Sequence, residues 1–415
     1  MSEITRRSDD ELRFGESARH ASRRRPGPWG ALVSAIAIGL AVVLVSGSAV
    51  AAVTFNYLNQ QVQANVVQIS ETEGPPPEIG AIEGGFNILI VGTDTRAGQS
   101  SVVGAEEEAE SDSELNDVNI LLHVSQDQTN ATVVSFPRDL VVGIPECPDE
   151  DGDTKYYSTE PINVALYYGG LQCVVMTVEN LTGLPIQFAG MITFEGVVKM
   201  ADAVGGVEVC VDGPMVDPNT GIDLPEAGTY FLNGESALAF VRSRHGVGDG
   251  SDLTRISSQQ VFLSSLVRKI KAEGTLTDPK QVFGLANAAV ANMSLSSGLA
   301  DVYNLASIAL AVKDIPLERI TFVQYPGMTG GEGIYAGKVQ PVQWAADALF
   351  AQIASDQPFV LDGVGDGQGS VADPNAPAAP TSTDAPVSNE GLAVVSGVRG
   401  QSAADYTCSV TNVVE

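Results

Sequence analysis

Positive charge is scarce in this sequence. Of the 22 lysines and arginines in 415 residues, seven arginines fall within residues 1–28, leaving 15 for everything that follows. Residues 1–28 carry a net charge of +2 and the remainder −31. A chain this acidic offers no broad basic face to a phosphate backbone, which excludes nucleic acid as a partner. Histidine and cysteine are also few, three and four respectively. The histidines are scattered and no C-x-x-C spacing occurs, which argues against zinc. No internal repeat is present. With 44% hydrophobic and 18% charged residues, the composition is that of a globular or anchored protein, long enough for one large domain or two modest ones.

The charge is distributed along the chain in a telling way. The basic residues 1–28 precede an uncharged run, Ala31 to Val53, long enough to span a bilayer. Arginines before it and none close after it set the N-terminus in the cytoplasm. The expectation is a basic cytoplasmic segment at 1–28, a transmembrane helix at 29–54 and a spacer at 55–81, in a single-pass membrane protein with an extracellular domain. A cleaved signal peptide, with "SAVAA" offering small-residue sites, is the alternative. Either way the rest of the chain faces an oxidising compartment, where the cysteines fit as disulfides. Cys147 and Cys173 flank a polar segment and are paired, leaving Cys210 and Cys408 as the second pair.

Between residues 82 and 355 short apolar, β-branched runs ("FNILIVG", "VNILLHVS", "ATVVSFP", "VEVCV", "RITFVQYP") read as buried strands. They alternate with helical segments such as "CVVMTVENLTG", "FEGVVKMADAVGG" and "SDLTRISSQQVFLSSLVRKIKAEG". This predicts an α/β fold, a three-layer α-β-α domain with a mixed central sheet, preceded by one transmembrane helix. Residues 356–415, rich in Pro, Gly, Ala and Ser, read as a flexible tail.

Three clusters carry the chemistry. Asp94 and Arg96 follow the first strand, Arg138 and Asp139 follow another, and "RSRHGVGDGSDLTRISSQQ" runs from Arg242 to Gln260. Open α/β sheets bind ligands beyond the carboxyl ends of their strands, so these residues are candidates for one crevice, provided the strands run the same way. Alone, a Gly-Thr-Asp turn is ordinary turn chemistry, an Arg-Asp pair a surface ion pair, and Asp252 a helix N-cap. Together they are harder to dismiss. Asp252, Arg255 and Gln259 share one helix face, and Arg242 and Arg244 point the same way on an extended segment. Five of the eight arginines beyond the apolar run sit in these clusters. Convergent guanidinium forks suit a phosphate or pyrophosphate, and aspartates beside them suit a bridging hard cation such as Mg²⁺ (or Mn²⁺). Arg268, on the same helix but outside the motif, is expected to be dispensable.

The order "GTDTR", "NDVNILLHV", "SFPRDL", "LNGESALAFVRSRHGVGDGSDLTRISSQQ" resembles the LytR–CpsA–Psr family of envelope proteins over about residues 84–355. The resemblance implies a phosphotransferase that moves a phosphorylated glycopolymer (teichoic acid or another wall polymer) from a polyprenyl-pyrophosphate carrier to peptidoglycan. It implies metal ligation by Asp94 and Asp117, and pyrophosphate binding by Arg138, Arg242, Arg244, Arg255 and Gln259, with Asp252 beside them. Arg96 matches the family's first motif. Asp139 and Asp252 are candidates to take the acceptor's proton, and a long apolar pocket should adjoin the site. Many members carry Arg-Ser-Asp-Thr where this chain has Leu115 to Val118, which retains Asp117 but lacks that arginine and hydroxyl and puts one phosphate contact in question. A hydrolase of the lipid pyrophosphate and a non-catalytic lipid-binding protein are the alternatives.

Overall fold

The run "FNILIVGT" is buried on both sides, as a strand between two helical layers must be. Leu89 and Val91 join one apolar cluster while Phe86 and Ile88 join another. The computed structural model describes residues 66–67, 69, 84–93, 114–148, 154–272, 274, 278–300, 302–376 and 388–412. All of these belong to the second of two units of the chain, Leu58–Glu415.

Eight strands form the main sheet: β1 (Val66–Val67), β2 (Phe86–Thr93), β3 (Asn116–Val124), β4 (Ala131–Phe136), β5 (Phe188–Ile192), β6 (Met293–Ser296), β7 (Ile320–Gln324) and β8 (Gly400–Ser402). Their spatial order is β1-β6-β5-β2-β3-β4-β7-β8. β2 is parallel to β5 and antiparallel to β3, β3 is antiparallel to β4, and β4 is parallel to β7. The sheet is therefore mixed. The carboxyl ends of β2, β4, β5 and β7 nevertheless share one edge, and the amino end of β3 lies there too. That edge carries the site.

The helices are α1 (Ala165–Thr182), α2 (Phe194–Ala203), α3 (Gly234–Arg242), α4 (Asp252–Ala272), α5 (Pro279–Asn292), α6 (Val302–Lys313) and α7 (Gln343–Ala354). On one face of the sheet, Val174 and Val178 of α1 and Leu349 and Phe350 of α7 pack against Leu89, Leu121, Val134 and Phe136. On the other face, Val290 of α5 and Ile308 of α6 meet Ile88, Val133 and Phe322, flanked by Leu263 and Val267 of α4. Three layers result. A third apolar cluster, including Val207, Val209, Phe240 and Phe262, lies under a four-stranded sheet ordered 228–232, 207–211, 407–409, 370–372.

Two expectations meet a different structure. The preceding transmembrane helix, and with it the single-pass membrane topology, an N-terminus in the cytoplasm and an extracellular domain, is corrected. Among the described residues no helix is long and apolar enough to cross a membrane. The stretch at 29–54 lies outside those residues, so the fold described is the α/β domain alone. The second concerns residues 356–415, expected as a flexible tail. Within them, 400–402 extends the main sheet as β8, and 407–409 pairs with both 207–211 and 370–372. These strands are three residues long, too short for an apolar period, so their partners and not their own composition define them.

Two disulfides hold the periphery. Cys147–Cys173 ties the segment after β4 to α1, and Cys210–Cys408 ties the C-terminal strand to the small sheet across 198 residues. Closing so long a loop restricts the unfolded chain by up to about 5 kcal/mol. Replacing Cys210 and Cys408 together by serine should therefore lower the melting temperature markedly. An unchanged melting curve would show that the C-terminal strands are held without the bridge.

Candidate functional site

Asp252, the first residue of α4, is buried at the shared sheet edge. Its Oδ2 accepts the backbone N–H of Arg138, 2.9 Å away, from the turn that follows β4. Its Oδ1 accepts from Arg244 at 3.2 Å and Arg255 at 2.5 Å. The Arg138 guanidinium reaches across to Asp117 at the start of β3, and Arg255 donates to the Asp117 carbonyl at 3.0 Å. One carboxylate thus gathers three arginines contributed by the turn after β4, the loop after α3, and α4. The loop that delivers Asp252 needs glycine at 248, where φ is +48° and a Cβ would lie 2.5 Å from the Gln368 carbonyl.

Arg242 and Arg244 do not share an extended segment as expected. Arg242 is the last residue of α3 and Arg244 follows an extended Ser243, so the chain turns between them. Both still line the same cavity. The Arg242 guanidinium lies 4.1 Å from the centre of the Phe194 ring, a cation–π contact. Gln259 donates to the Val241 carbonyl at 2.8 Å, fixing α4 against α3. Asp139 pairs with Lys338 at 3.0 Å and lies 3.8 Å from Arg138 Nε. Asp94 and Arg96 lie outside the described residues, immediately beyond Thr93, which lines the cavity.

Two groups that sequence reasoning passed over shape the site. Buried Asp217 accepts from the Ser243 hydroxyl at 2.9 Å and from the backbone N–H groups of Arg244 and His245, each at 3.1 Å. It is the anchor that aims the Arg244 loop, yet "DPNTG" has no feature beyond a turn. Lys338 comes from a segment with no motif at all. Arg268 was expected to be dispensable, but it donates to the carbonyls of Ala403 at 3.0 Å and Asp405 at 2.7 Å and stacks on Tyr406. It fastens the C-terminal segment to α4. An exposed residue such as Arg399 is the better control.

The electrostatics favour an anion. Burial works to lower the Arg138 pKa, but Asp117, Asp139 and Asp252 outweigh it and hold the pKa above its ordinary value. Arg244 is shifted downward, first by burial and then by repulsion from Arg255 and Arg138. An added anion would relieve that repulsion. Among the described residues, the buried Nε–H groups of Arg138 and Arg255 have no hydrogen-bond partner.

These cations stand at one end of a cavity of about 560 Å³. Its body is apolar, lined by Ile90 and Ile120 of the sheet, Val197 and Met200 of α2, Leu263 and Leu266 of α4, and Leu285 of α5. The lining follows α4 from Arg255 to Ile270, roughly 22 Å at the helical rise. A charged head and an apolar tail are what such a space accommodates. As for a metal, Asp117 presents a hard carboxylate at the cation-rich end, as Mg²⁺ requires. Among the described residues one other group of potential ligands converges, Cys210, Asp373 and Cys408. Its two sulfurs are joined in a disulfide, which removes them as ligands.

Burial raises the Asp217 carboxyl, but its hydrogen bonds from Ser243, Asn219, Arg244 and His245 win and hold it below the usual range. The stability this provides is present above the unfolded pKa, about 4, and is lost as the pH falls through the lower folded value. Asp217→Asn should lower the melting temperature at neutral pH, with the gap to the parent closing under acid conditions. A gap that does not change with pH would contradict the ionised anchor.

The profile of the LytR_cpsA_psr family matches residues 42–350. The chain is similar to the cell wall biosynthesis protein LcpA of Corynebacterium glutamicum, at 28% identity over 62% of this chain and 53% of that protein. It therefore spans about half the length of that relative. The polyisoprenyl-teichoic acid–peptidoglycan teichoic acid transferase TagT of Bacillus subtilis is 24% identical over 74% of this chain and 90% of its own. The solved structure of a LytR-Csp2A-Psr enzyme from Actinomyces oris superposes with a TM-score of 0.50 at 23% identity, covering 69% of this chain and 96% of that one, a likeness of fold. With the match extending over residues 42–350, most of the α/β domain, this chain belongs to the LytR_cpsA_psr family.

Proposed function

We propose that this protein transfers a phosphorylated glycopolymer from a polyprenyl-pyrophosphate carrier to peptidoglycan. The observation that carries the reading is the cluster of Arg138, Arg242, Arg244 and Arg255 at one end of an otherwise apolar cavity. The prenyl chain occupies the apolar body and the diphosphate meets the arginines. Arg96, beside the same edge in sequence, and Gln259 complete the proposed pyrophosphate site. The relative TagT, named as a polyisoprenyl-teichoic acid–peptidoglycan transferase, supports the same substrate class.

In the transfer, an acceptor sugar hydroxyl attacks the phosphorus that carries the glycopolymer. The bond from that phosphorus to the bridging oxygen breaks, polyprenyl phosphate leaves, and the hydroxyl proton passes to a base. Asp252 already accepts from three arginine groups, which suits it to hold the cluster together. Asp139, paired with Lys338 at 3.0 Å and 3.8 Å from Arg138 Nε, is the other candidate proton acceptor. The guanidinium forks stabilise charge on the transferring phosphoryl group without rearranging, because Asp252 and Asp217 have already aimed them. Mg²⁺ (or Mn²⁺), held by Asp117 and Asp94, would supply further neutralisation of the diphosphate charge.

Arg244→Lys keeps the charge but loses the planar fork, and should reduce transfer by roughly 10²-fold while the fold persists. Asp117→Ala should abolish the Mg²⁺-dependent part of turnover. Arg399→Ala should match the parent. The assay follows conjugate formation from lipid-linked glycopolymer with and without peptidoglycan. Parental activity in Arg244→Lys would remove the arginine cluster from the mechanism, and product released equally without acceptor would indicate a hydrolase.

A further inference from the structure

At one end the apolar cavity borders a second, smaller one. Val204, Ile270 and Leu285 line both it and a second cavity of about 160 Å³, so the second begins where the first stops and only shared side chains divide them. The second cavity is bounded by Ala203, Lys269, Gln281 and Gly284, between the end of α2, the last turns of α4 and the first half of α5.

Gly284 is the informative residue. It lies inside α5 and is exposed, and its backbone is not in the left-handed region that would demand glycine. A Cβ built there would meet nothing within 4 Å, so no packing contact demands glycine either. Glycine in a helix interior is unfavourable, and what it provides here is open space beside the second cavity.

We infer that the two cavities form one passage, with a port at Gly284 through which a polyprenyl chain longer than the apolar body leaves the protein at the end remote from the arginines. This rests on the proposed reading of the first cavity as a prenyl site, and it goes further by assigning a chain-length determinant. The apolar body grips the units nearest the diphosphate, and the rest passes between α4 and α5. Val204, Ile270 and Leu285 swing by rotamer changes to join the two spaces.

The test fills the port from outside. Gly284→Leu and Gly284→Trp in the full chain place bulk where there is open space and remove a helix-interior glycine, so both should fold. Equilibrium binding is measured with geranyl diphosphate, which fits within the body, and with decaprenyl diphosphate in detergent. Both variants should bind geranyl diphosphate like the parent. They should lose decaprenyl diphosphate by about tenfold or more, the effect of withdrawing two or more methylenes from apolar surroundings. Unchanged binding of both ligands, or equal loss of both, overturns the port. If the parent binds neither diphosphate, the proposed function fails, and the port with it.

Discussion

Buried Asp252 is the group on which the site depends. Without its carboxylate, Arg244 and Arg255 would face each other with like charge in a partly dehydrated cleft, and the Arg138 backbone N–H would lose its acceptor. Removing one member of a buried ionic group typically costs 3–5 kcal/mol because the others are left uncompensated. The same carboxylate sets the geometry. It joins the turn after β4 to the amino end of α4, and Asp117 joins β3 to Arg138. Three separately coded motifs become one cation cluster through these two acids.

Among the described residues, the Nε–H groups of Arg138 and Arg255 in this cluster find no acceptor. Next to it lies a large, mostly apolar cavity. Both features suit one kind of ligand, an anionic head on a hydrocarbon chain. The Phe136, Tyr325 and Phe350 rings pack against one another on the face opposite the cavity.

The sequence disclosed the site better than the fold's periphery. Strands such as "FNILIVG" and helices such as "DLTRISSQQVFLSSLVRK" are long enough for period to identify them. The spacing of Asp252, Arg255 and Gln259 follows from helical geometry alone. That the crevice spans parallel and antiparallel strands was not legible, since a strand's direction depends on its partners. Helix α3 was missed because it is only nine residues long and ends inside the arginine motif. Asp217 is visible as an anchor only once the chain brings residue 217 beside 243–245. The C-terminal strands depend on pairing and a disulfide that composition does not reveal, and Arg268 acquires its role only through them.

The central claim is that paired guanidiniums beside an apolar cavity recognise a lipid diphosphate as one ligand with two ends. The most direct measurement compares the affinities of farnesyl diphosphate, farnesol and inorganic pyrophosphate for the same protein. Farnesyl diphosphate should bind far more tightly than either fragment, with farnesol and pyrophosphate binding together without mutual exclusion. If farnesol binds as tightly as farnesyl diphosphate, the arginines contribute nothing to recognition, and if pyrophosphate does, the cavity contributes nothing; either result would contradict the account.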